Sequence, residues 1–233
     1  MSPGEPIPGP QPGERLTQPL VAREGWSRIA IAFAIALTVQ LFGGLWWALP
    51  FWLLGGLVLQ FFRDPPRDIP VLPGAVVAPA HGKVVSIEPG VDPFSGEAAI
   101  QVSIFMNIFS VHSNRIPICG SIKHRRHWRG RFFNAALSKA SAENERCGIQ
   151  IETKEGTKVS CVQIAGWVAR RILTYVHVGD EVKTGQRYGF IRFGSRVDLY
   201  LPPYSEVLVG LGKWVLSGSD IIARLPETER HHG

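Results

Sequence analysis

One uncharged stretch limits what this chain can fold into more than any other feature. Residues 29–62 run for 34 positions without a charged side chain. One helix that crosses a bilayer needs about 20 apolar residues, and two such helices need about 40. The length therefore favours two short apolar helices, with Gly43, Gly44 and Pro50 marking the break between them. We expect a helical hairpin that either spans a thin membrane twice or enters it and returns.

Arginines flank the apolar stretch on both sides. Arg23 and Arg28 precede it, and Arg63 and Arg67 follow it. Because positive residues stay on the cytoplasmic side of a membrane, both ends of the hairpin are expected there. This predicts a protein of the inner cell membrane whose following domain lies on the cytoplasmic face. The alternative is a pair of helices buried in a soluble core.

The rest of the chain divides by composition. Residues 1–20 are rich in Pro and Gly and are expected to form a disordered tail. Residues 21–66 hold the membrane-associated hairpin and a charged, proline-marked linker. Residues 67–233 show short apolar or alternating runs between Gly and Pro signals, which predicts a mainly β, antiparallel domain. Residues 135–145 are typical of a short helix or an ordered loop.

Two turn segments refine the expected architecture. Residues 78–84 and 178–186 resemble the paired halves of the barrel-sandwich fold of biotinyl and lipoyl carriers, with Gly179 and Gly185 supplying positive φ angles. The segment 179–186 also resembles a turn of zinc endopeptidases of the lysostaphin type. Those enzymes need a His-x-His pair, whereas residues 198–200 read Asp-Leu-Tyr, so no metal is expected.

The three cysteines form no C-x-x-C pair, which favours a reducing compartment.

Six short motifs follow one another along the second part of the chain. In one-letter code they are FRDP at 62–65, APAHGKV at 78–84, FMNxxSVHxNRxP at 105–117, GRFFNA at 130–135, KASxENER at 139–146 and GxIxFGSRVD at 189–198. Together with the preceding apolar hairpin, they resemble the proenzymes of the phosphatidylserine decarboxylase family in its short bacterial and archaeal type.

The resemblance implies that the chain cuts itself between Gly194 and Ser195. The Ser195 hydroxyl would attack the Gly194 carbonyl, and a glycine there lacks the Cβ that would oppose the attack. Elimination would leave a β chain of residues 1–194 and an α chain of residues 195–233, with Ser195 converted into a covalent pyruvoyl cofactor. Through a Schiff base with this group, family members convert phosphatidylserine into phosphatidylethanolamine and CO₂.

Further site residues are also implied by the resemblance. His112 matches an active-site histidine, so it would serve as base for Ser195 or as proton donor in decarboxylation. Arg115 would hold the substrate phosphate or carboxylate, or else form a salt bridge. His81 stands where the family usually has an aspartate that helps to activate the serine, and Ser110 also often replaces an aspartate.

These two departures leave open how the serine is activated. Asp198 or Asp92 would supply the missing carboxylate, or His81 would act directly. The alternative function is that of a non-cleaving, inactive relative, which would be a membrane-tethered binding module.

The expected partners follow from charge and from the resemblance. The net charge of +6 suits either nucleic acid or an anionic membrane. The basic run 123–131 includes an aromatic residue, as segments that bind nucleic acid do. Because the same chain has an apolar hairpin, lipid headgroups are the favoured partner of this run. The plainer interpretation is a solvated strand. We therefore expect phosphatidylserine and anionic lipid as partners, no nucleic acid, and a heterodimer of the chain's own two fragments or a higher oligomer of such pairs.

Overall fold

The apolar stretch forms a helical hairpin. The computed structural model describes residues 19–133, 135, 143–166, 171–192 and 194–226. A 3-10 turn, Arg23–Gly25, leads into α1 (Trp26–Gly43), and α2 (Leu45–Phe61) returns beside it. Gly44 joins the helices with a φ of 83°, which a side chain would disfavour. Pro50 lies inside α2 and does not contribute to the break, so that part of the expectation was wrong.

The hairpin exposes apolar side chains that a water-soluble surface would not carry. Phe42 at its tip is 89% exposed and Trp46 is 83% exposed. Among the described residues, the helix Arg23–Gly43 is long and apolar enough to cross a membrane, whereas Leu45–Phe61 is shorter. Exposed apolar surface of this extent is typical of a face that contacts a membrane or another protein.

The two ends of the hairpin are tied together at its base. Val21 forms a β-bridge with Arg63, and the Ala22 amide donates a hydrogen bond to the Phe62 carbonyl at 2.7 Å. Phe61 and Phe62 pack on Phe190 of the β domain. The base of the hairpin is thus part of the domain's structure.

The remaining described residues form short strands joined by tight turns. They make the protein mainly β, with 39% strand and 20% helix. The strands are β1 (Ala75–Val77), β2 (Gly82–Val91), β3 (Ala98–Met106), β4 (Ser113–Arg115), β5 (Gly120–Trp128), β6 (Arg146–Glu152), β7 (Lys158–Ile164), β8 (Ile172–Thr174), β9 (Glu181–Val182), β10 (Arg187–Ile191), β11 (Ser195–Leu201), β12 (Glu206–Val207), β13 (Trp214–Val215) and β14 (Ile221–Arg224).

These strands form antiparallel sheets that curl around one core. The largest sheet has the order β13-β2-β3-β11-β7-β6-β5-β9, and two three-stranded sheets have the orders β1-β14-β12 and β4-β10-β8. The core between them is mostly Ile, Val and Leu, which suit a pleated, buried surface. The strand β11 lies between β3 and β7, near the middle of the large sheet.

Most of the expected elements occur where the sequence placed them. The mainly β, antiparallel, barrel-sandwich-like domain behind an apolar helical hairpin is confirmed, and Gly179 and Gly185 have φ values of 94° and 76°. The segment expected to be a charged linker differs from that expectation, because Asp64 within it is fully buried. The predicted tail lies outside the described residues over 1–18, as does most of the segment 135–145.

Candidate functional site

Ser195 is the first residue of β11 and is fully buried. It pairs with Met106 at the end of β3. Its hydroxyl donates to the Met106 sulfur at 3.6 Å, and the Asn114 side-chain amide donates to the same sulfur at 3.7 Å. Sulfur is a weak acceptor, so the hydroxyl is oriented without being strongly held. This contact could not be foreseen from the motif that contains Met106.

A chain of buried amides continues beneath this sulfur. The Asn114 side-chain oxygen accepts a hydrogen bond from Gln163 Nε2 at 2.8 Å, and Gln163 Oε1 accepts one from the Thr174 hydroxyl at 2.9 Å. Each member has its polar atoms satisfied by the next, which fixes their rotamers. The Met106 sulfur therefore has a rigid support.

The carbonyl of Gly194 lies against another glycine. An ideal Cβ at Gly166 would be 1.6 Å from the Gly194 oxygen, so no side chain fits there. Gly194 itself has a φ of 59°, and a Cβ added to it would meet no atom within 4 Å. The left-handed backbone thus favours glycine at position 194, and the steric requirement falls on Gly166.

Asn144 fixes the strand end that carries Gly166. Its side-chain amide donates to the carbonyls of Phe133 and Ala165, both at 2.8 Å, and its oxygen accepts from the Phe133 amide at 2.9 Å. The side chain is almost fully buried. In the sequence, only its place inside the motif at 139–146 marks Asn144.

His112 lies in the loop that follows β3 and is fully buried. Its ring stacks on Phe61 of α2 with centroids 4.1 Å apart, and its carbonyl accepts from the Ile191 amide at 3.2 Å. Burial lowers the pKa of His112 to about 3. The imidazole is therefore neutral at neutral pH, and the last helical residue of the hairpin covers it.

His81 supports the same loop. Its Nδ1 accepts a hydrogen bond from the Val111 amide at 2.9 Å, next to His112. Burial, then the charges of Arg67 and Arg63, lower the pKa of His81 to about 4. An aspartate could accept the same hydrogen bond, so the substitution keeps the acceptor and gives up the fixed charge. The neighbouring Ser110 closes the turn by bonding to Asn107.

Arg115 lies in a buried ion-pair network. Its guanidinium donates to Asp64 at 2.8 Å, with the two side chains 1% and 0% exposed. Asp64 also lies 3.6 Å from Arg187, which pairs with Glu24 at 2.8 Å. The network joins the first turn before α1 to the β domain. The role predicted for Arg115 in substrate binding stays a prediction, and the observed partners of its guanidinium are Asp64 and the Gly185 carbonyl, which accepts at 3.1 Å.

The two aspartates considered as extra carboxylates have other partners. Asp198 bonds to Arg196 at 2.6 Å and to Gln101 at 2.9 Å, and it lies three positions from Ser195 along β11, on the opposite face of the strand. Asp92 caps the β2–β3 turn by accepting from the amides of Phe94 and Ser95. That turn is at the far end of β3 from Met106. Neither carboxylate is positioned to serve Ser195.

The basic run forms β5 and the turn after it. Lys123 pairs with Glu152 at 3.0 Å, and the guanidinium groups of Arg126 and Arg146 lie over the Trp128 ring. Several of its cations thus have partners within the sheet, as on a solvated strand. Among the described residues no group of three His, Cys, Asp or Glu side chains could hold a metal ion.

A pocket of about 710 Å³ opens between α2 and the β domain. Phe61 and Leu57 of α2 form one wall, and Phe109 of the loop before His112 forms part of another. Because Phe61 also packs on His112, the pocket and the buried histidine share this aromatic ring. Arg192, which is three residues before Ser195 in the sequence, lines the same pocket.

Comparison with known proteins agrees with this arrangement. Residues 54–223 match the sequence model of a family described as phosphatidylserine decarboxylase. A phosphatidylserine decarboxylase proenzyme of Nitrosomonas eutropha is 55% identical over 205 residues, 88% of this chain and 95% of the relative. Proenzymes so named from Aromatoleum aromaticum and Burkholderia pseudomallei are 54% and 53% identical, covering 89% and 90% of this chain and 97% of each relative. The chain therefore belongs to the phosphatidylserine decarboxylase family.

Proposed function

We propose that this protein removes CO₂ from the serine head group of phosphatidylserine to give phosphatidylethanolamine, using a pyruvoyl group that it makes from Ser195. The observation that carries the proposal is the Gly194–Ser195 bond. A buried serine follows a glycine of left-handed conformation, whose carbonyl rests on Gly166. The name proenzyme, which the similar proteins carry, supports processing of the same kind here.

The chemistry of cleavage uses only atoms of the chain and one water. The Ser195 hydroxyl oxygen attacks the Gly194 carbonyl carbon, the C–N bond breaks, and an ester links the two residues. Loss of the α-proton of residue 195 then breaks the Oγ–Cβ bond, with the Gly194 carboxylate as leaving group. Water hydrolyses the resulting dehydroalanine, which releases ammonia and leaves the pyruvoyl group. Once formed, this group supplies a ketone that withdraws electrons from the α-carbon of an amino acid substrate.

The surrounding residues suit the first of these steps. Gly166, held by Asn144, fixes the carbonyl that is attacked, and Met106 orients the attacking hydroxyl without a strong bond to break. We assign the proton of that hydroxyl to His112, which is neutral at neutral pH. A base with so low a pKa accepts a proton weakly, so cleavage is expected to be slow, as a reaction that occurs once per molecule allows.

His81 acts in this proposal as a positioning residue. Its bond to the Val111 amide fixes the loop that carries His112. Arg115 acts with Asp64 in seating the hairpin on the β domain. The two fragments stay associated as a heterodimer because β11 of the smaller one pairs on both sides with strands of the larger.

The hairpin supports a location in the inner membrane, with the β domain on its cytoplasmic face. The exposed apolar helices supply an anchor, and Arg28 and Arg63 at their base favour the cytoplasmic side. The pocket lined by α2 then opens next to the lipid, so a substrate reaches it without leaving the bilayer.

The proposal is tested on the purified wild-type protein in detergent. Denaturing mass spectrometry should find two fragments, one ending at Gly194 and one beginning with a blocked residue 195 that borohydride reduces. The same sample should release labelled CO₂ from phosphatidylserine labelled in its carboxyl carbon, and borohydride should abolish that release. A single full-length mass without CO₂ release would reject the proposal and favour a membrane-tethered binding module.

The buried state of His112 predicts a pH dependence of stability. Its pKa is about 3 in the folded protein against about 6.5 when unfolded, so the unfolded state takes up the proton first as the pH falls. This contribution to stability is present above about pH 6.5 and is lost towards pH 3. Between about pH 6 and pH 4.5 the free energy of unfolding should fall by about 1.4 kcal/mol per pH unit more than in His112→Gln.

Urea unfolding at several pH values measures this difference. Both proteins carry Ser195→Ala, so that each chain is in one piece. Loss of the ring packing changes the free energy of unfolding of His112→Gln by the same amount at every pH. Only the slope of this free energy against pH therefore reports the titration of His112. Equal slopes for the two proteins would contradict a buried neutral His112.

A further inference from the structure

Two arginines face each other at the end of a strand pair beside the pocket. The last pair of β8 and β10 is Ile172 with Ile191, so the next residues outward are Arg171 and Arg192. Like charges directly opposite one another destabilise a sheet unless something compensates them. Arg28 of α1 lines the same pocket. Burial, followed by the charges of Arg28 and Arg171, lowers the pKa of Arg192.

The compensating charge does not come from the described part of the chain. There, none of these three arginines has a carboxylate within ion-pair distance, and the buried Nε of Arg192 has no hydrogen-bond partner. The charge of Glu24 also acts on Arg192. The Glu24 carboxylate, however, accepts hydrogen bonds from Arg187 and from the Tyr175 hydroxyl. The three arginines line one pocket without a carboxylate partner in the described part of the chain, although Arg28 donates a hydrogen bond to the Glu24 carbonyl at 2.7 Å.

Apart from Gln60, the rest of the pocket lining is apolar. Leu54 and Leu57 of α2 are 54% and 57% exposed, and Ile108 and Phe109 are exposed on the opposite wall. A free inorganic anion would gain nothing from these side chains. A molecule with an anionic group and long hydrocarbon chains would satisfy both parts of the pocket.

We propose that this pocket binds a diacyl phospholipid, with its phosphodiester held by Arg28, Arg171 and Arg192 and its acyl chains lying along α2. The assignment rests on the proposed function in one respect, because it takes the head group of the bound lipid to react at Ser195, three residues after Arg192 in the sequence. In this arrangement the arginines fix where the lipid lies relative to Ser195.

The test uses the full-length protein in mixed micelles of an uncharged detergent and phosphatidylserine. Arg171→Gln should cleave itself completely, as judged by intact mass. Its KM, expressed as the surface fraction of phosphatidylserine, should rise about tenfold, while kcat stays within about twofold. Arg171→Lys, which keeps a charge but not the planar fork, should lie in between. Arg224→Gln removes an equal charge from an exposed position at the end of β14 and should behave as wild type.

A second measurement needs no turnover. Phosphatidic acid in the micelles should raise the unfolding temperature of the wild-type protein and not that of Arg171→Gln. Inorganic phosphate and glycerophosphate at the same concentration should protect neither protein. Equal protection by inorganic phosphate would mean a free-anion site and would overturn the lipid assignment. An unchanged KM in Arg171→Gln, or an equal change in Arg224→Gln, would also overturn it.

The two measurements separate the two proposals. If the wild-type protein neither cleaves nor decarboxylates, yet phosphatidic acid protects it through Arg171, the lipid site stands and the proposed function fails. If it cleaves and decarboxylates while KM and protection do not depend on Arg171, the proposed function stands and the lipid site fails.

Discussion

Ser195→Ala should leave the chain in one piece at its full mass of 25.7 kDa and without decarboxylase activity. Without the hydroxyl there is no nucleophile for the Gly194 carbonyl, and no pyruvoyl group forms. The side chain makes only a weak bond to the Met106 sulfur, so its removal should cost less than about 1 kcal/mol of stability. Intact-mass spectrometry and release of labelled CO₂ measure the two effects on one sample.

Ser217→Ala is the matched control. Ser217 is also fully buried, and its hydroxyl has no hydrogen-bond partner among the described residues. This variant should cleave fully and retain activity. Fragments ending at Gly194 in Ser195→Ala would show that another group cuts the chain, and decarboxylation by the uncut variant would exclude a cofactor made from Ser195.

Gly166→Ala should slow self-cleavage at least about a hundredfold. The added methyl group would have to occupy space 1.6 Å from the Gly194 oxygen, so the carbonyl that Ser195 attacks must move. Displacement of a reacting atom by about an ångström commonly costs that much in rate. The uncut fraction is measured by mass after a pulse of cell-free synthesis, which yields the precursor before it has reacted.

Two further glycine variants separate this effect from general damage. In Gly120→Ala the new Cβ would lie 2.2 Å from the Glu152 carbonyl in the same sheet, which strains the fold away from Ser195, and the chain should still cut itself. In Gly194→Ala there is space for the methyl group, but the φ of 59° costs about 1–2 kcal/mol, so cleavage should slow only moderately. Cleavage of Gly166→Ala at the wild-type rate would remove Gly166 from the mechanism.

The parts of the fold that sequence could predict are those set by local pattern. The uncharged stretch gave the hairpin, and alternation between turn residues gave most strands. Pro50 misled, because an isolated proline can lie inside a helix, where it removes one backbone hydrogen bond. The basic run forms most of β5 with residues 123–127 exposed, which agrees with its plainer interpretation as a solvated strand.

The site divides in the same way. The order of the motifs indicated Gly194, Ser195 and His112. The residues that surround them are brought there by contacts between distant parts of the chain. Nothing local marks Gly166 as the neighbour of Gly194, or Met106 as the acceptor for Ser195, because cross-strand and loop packing bring them together. Likewise, nothing local marks Asp64 as the ion-pair partner of Arg115, because the two residues lie 51 positions apart in the sequence.

The position of β11 has a consequence for the life of the molecule. Its neighbours β3 and β7 both belong to the segment before Gly194. After cleavage the two pieces no longer share a covalent link, so reassembly after unfolding becomes a second-order encounter between two chains that each expose unpaired strand edges. If the proposed cleavage occurs, only the uncut precursor refolds as a single chain, and the cleaved protein keeps its structure through slow unfolding. The lifetime of the cleaved protein is then set by a single irreversible opening event.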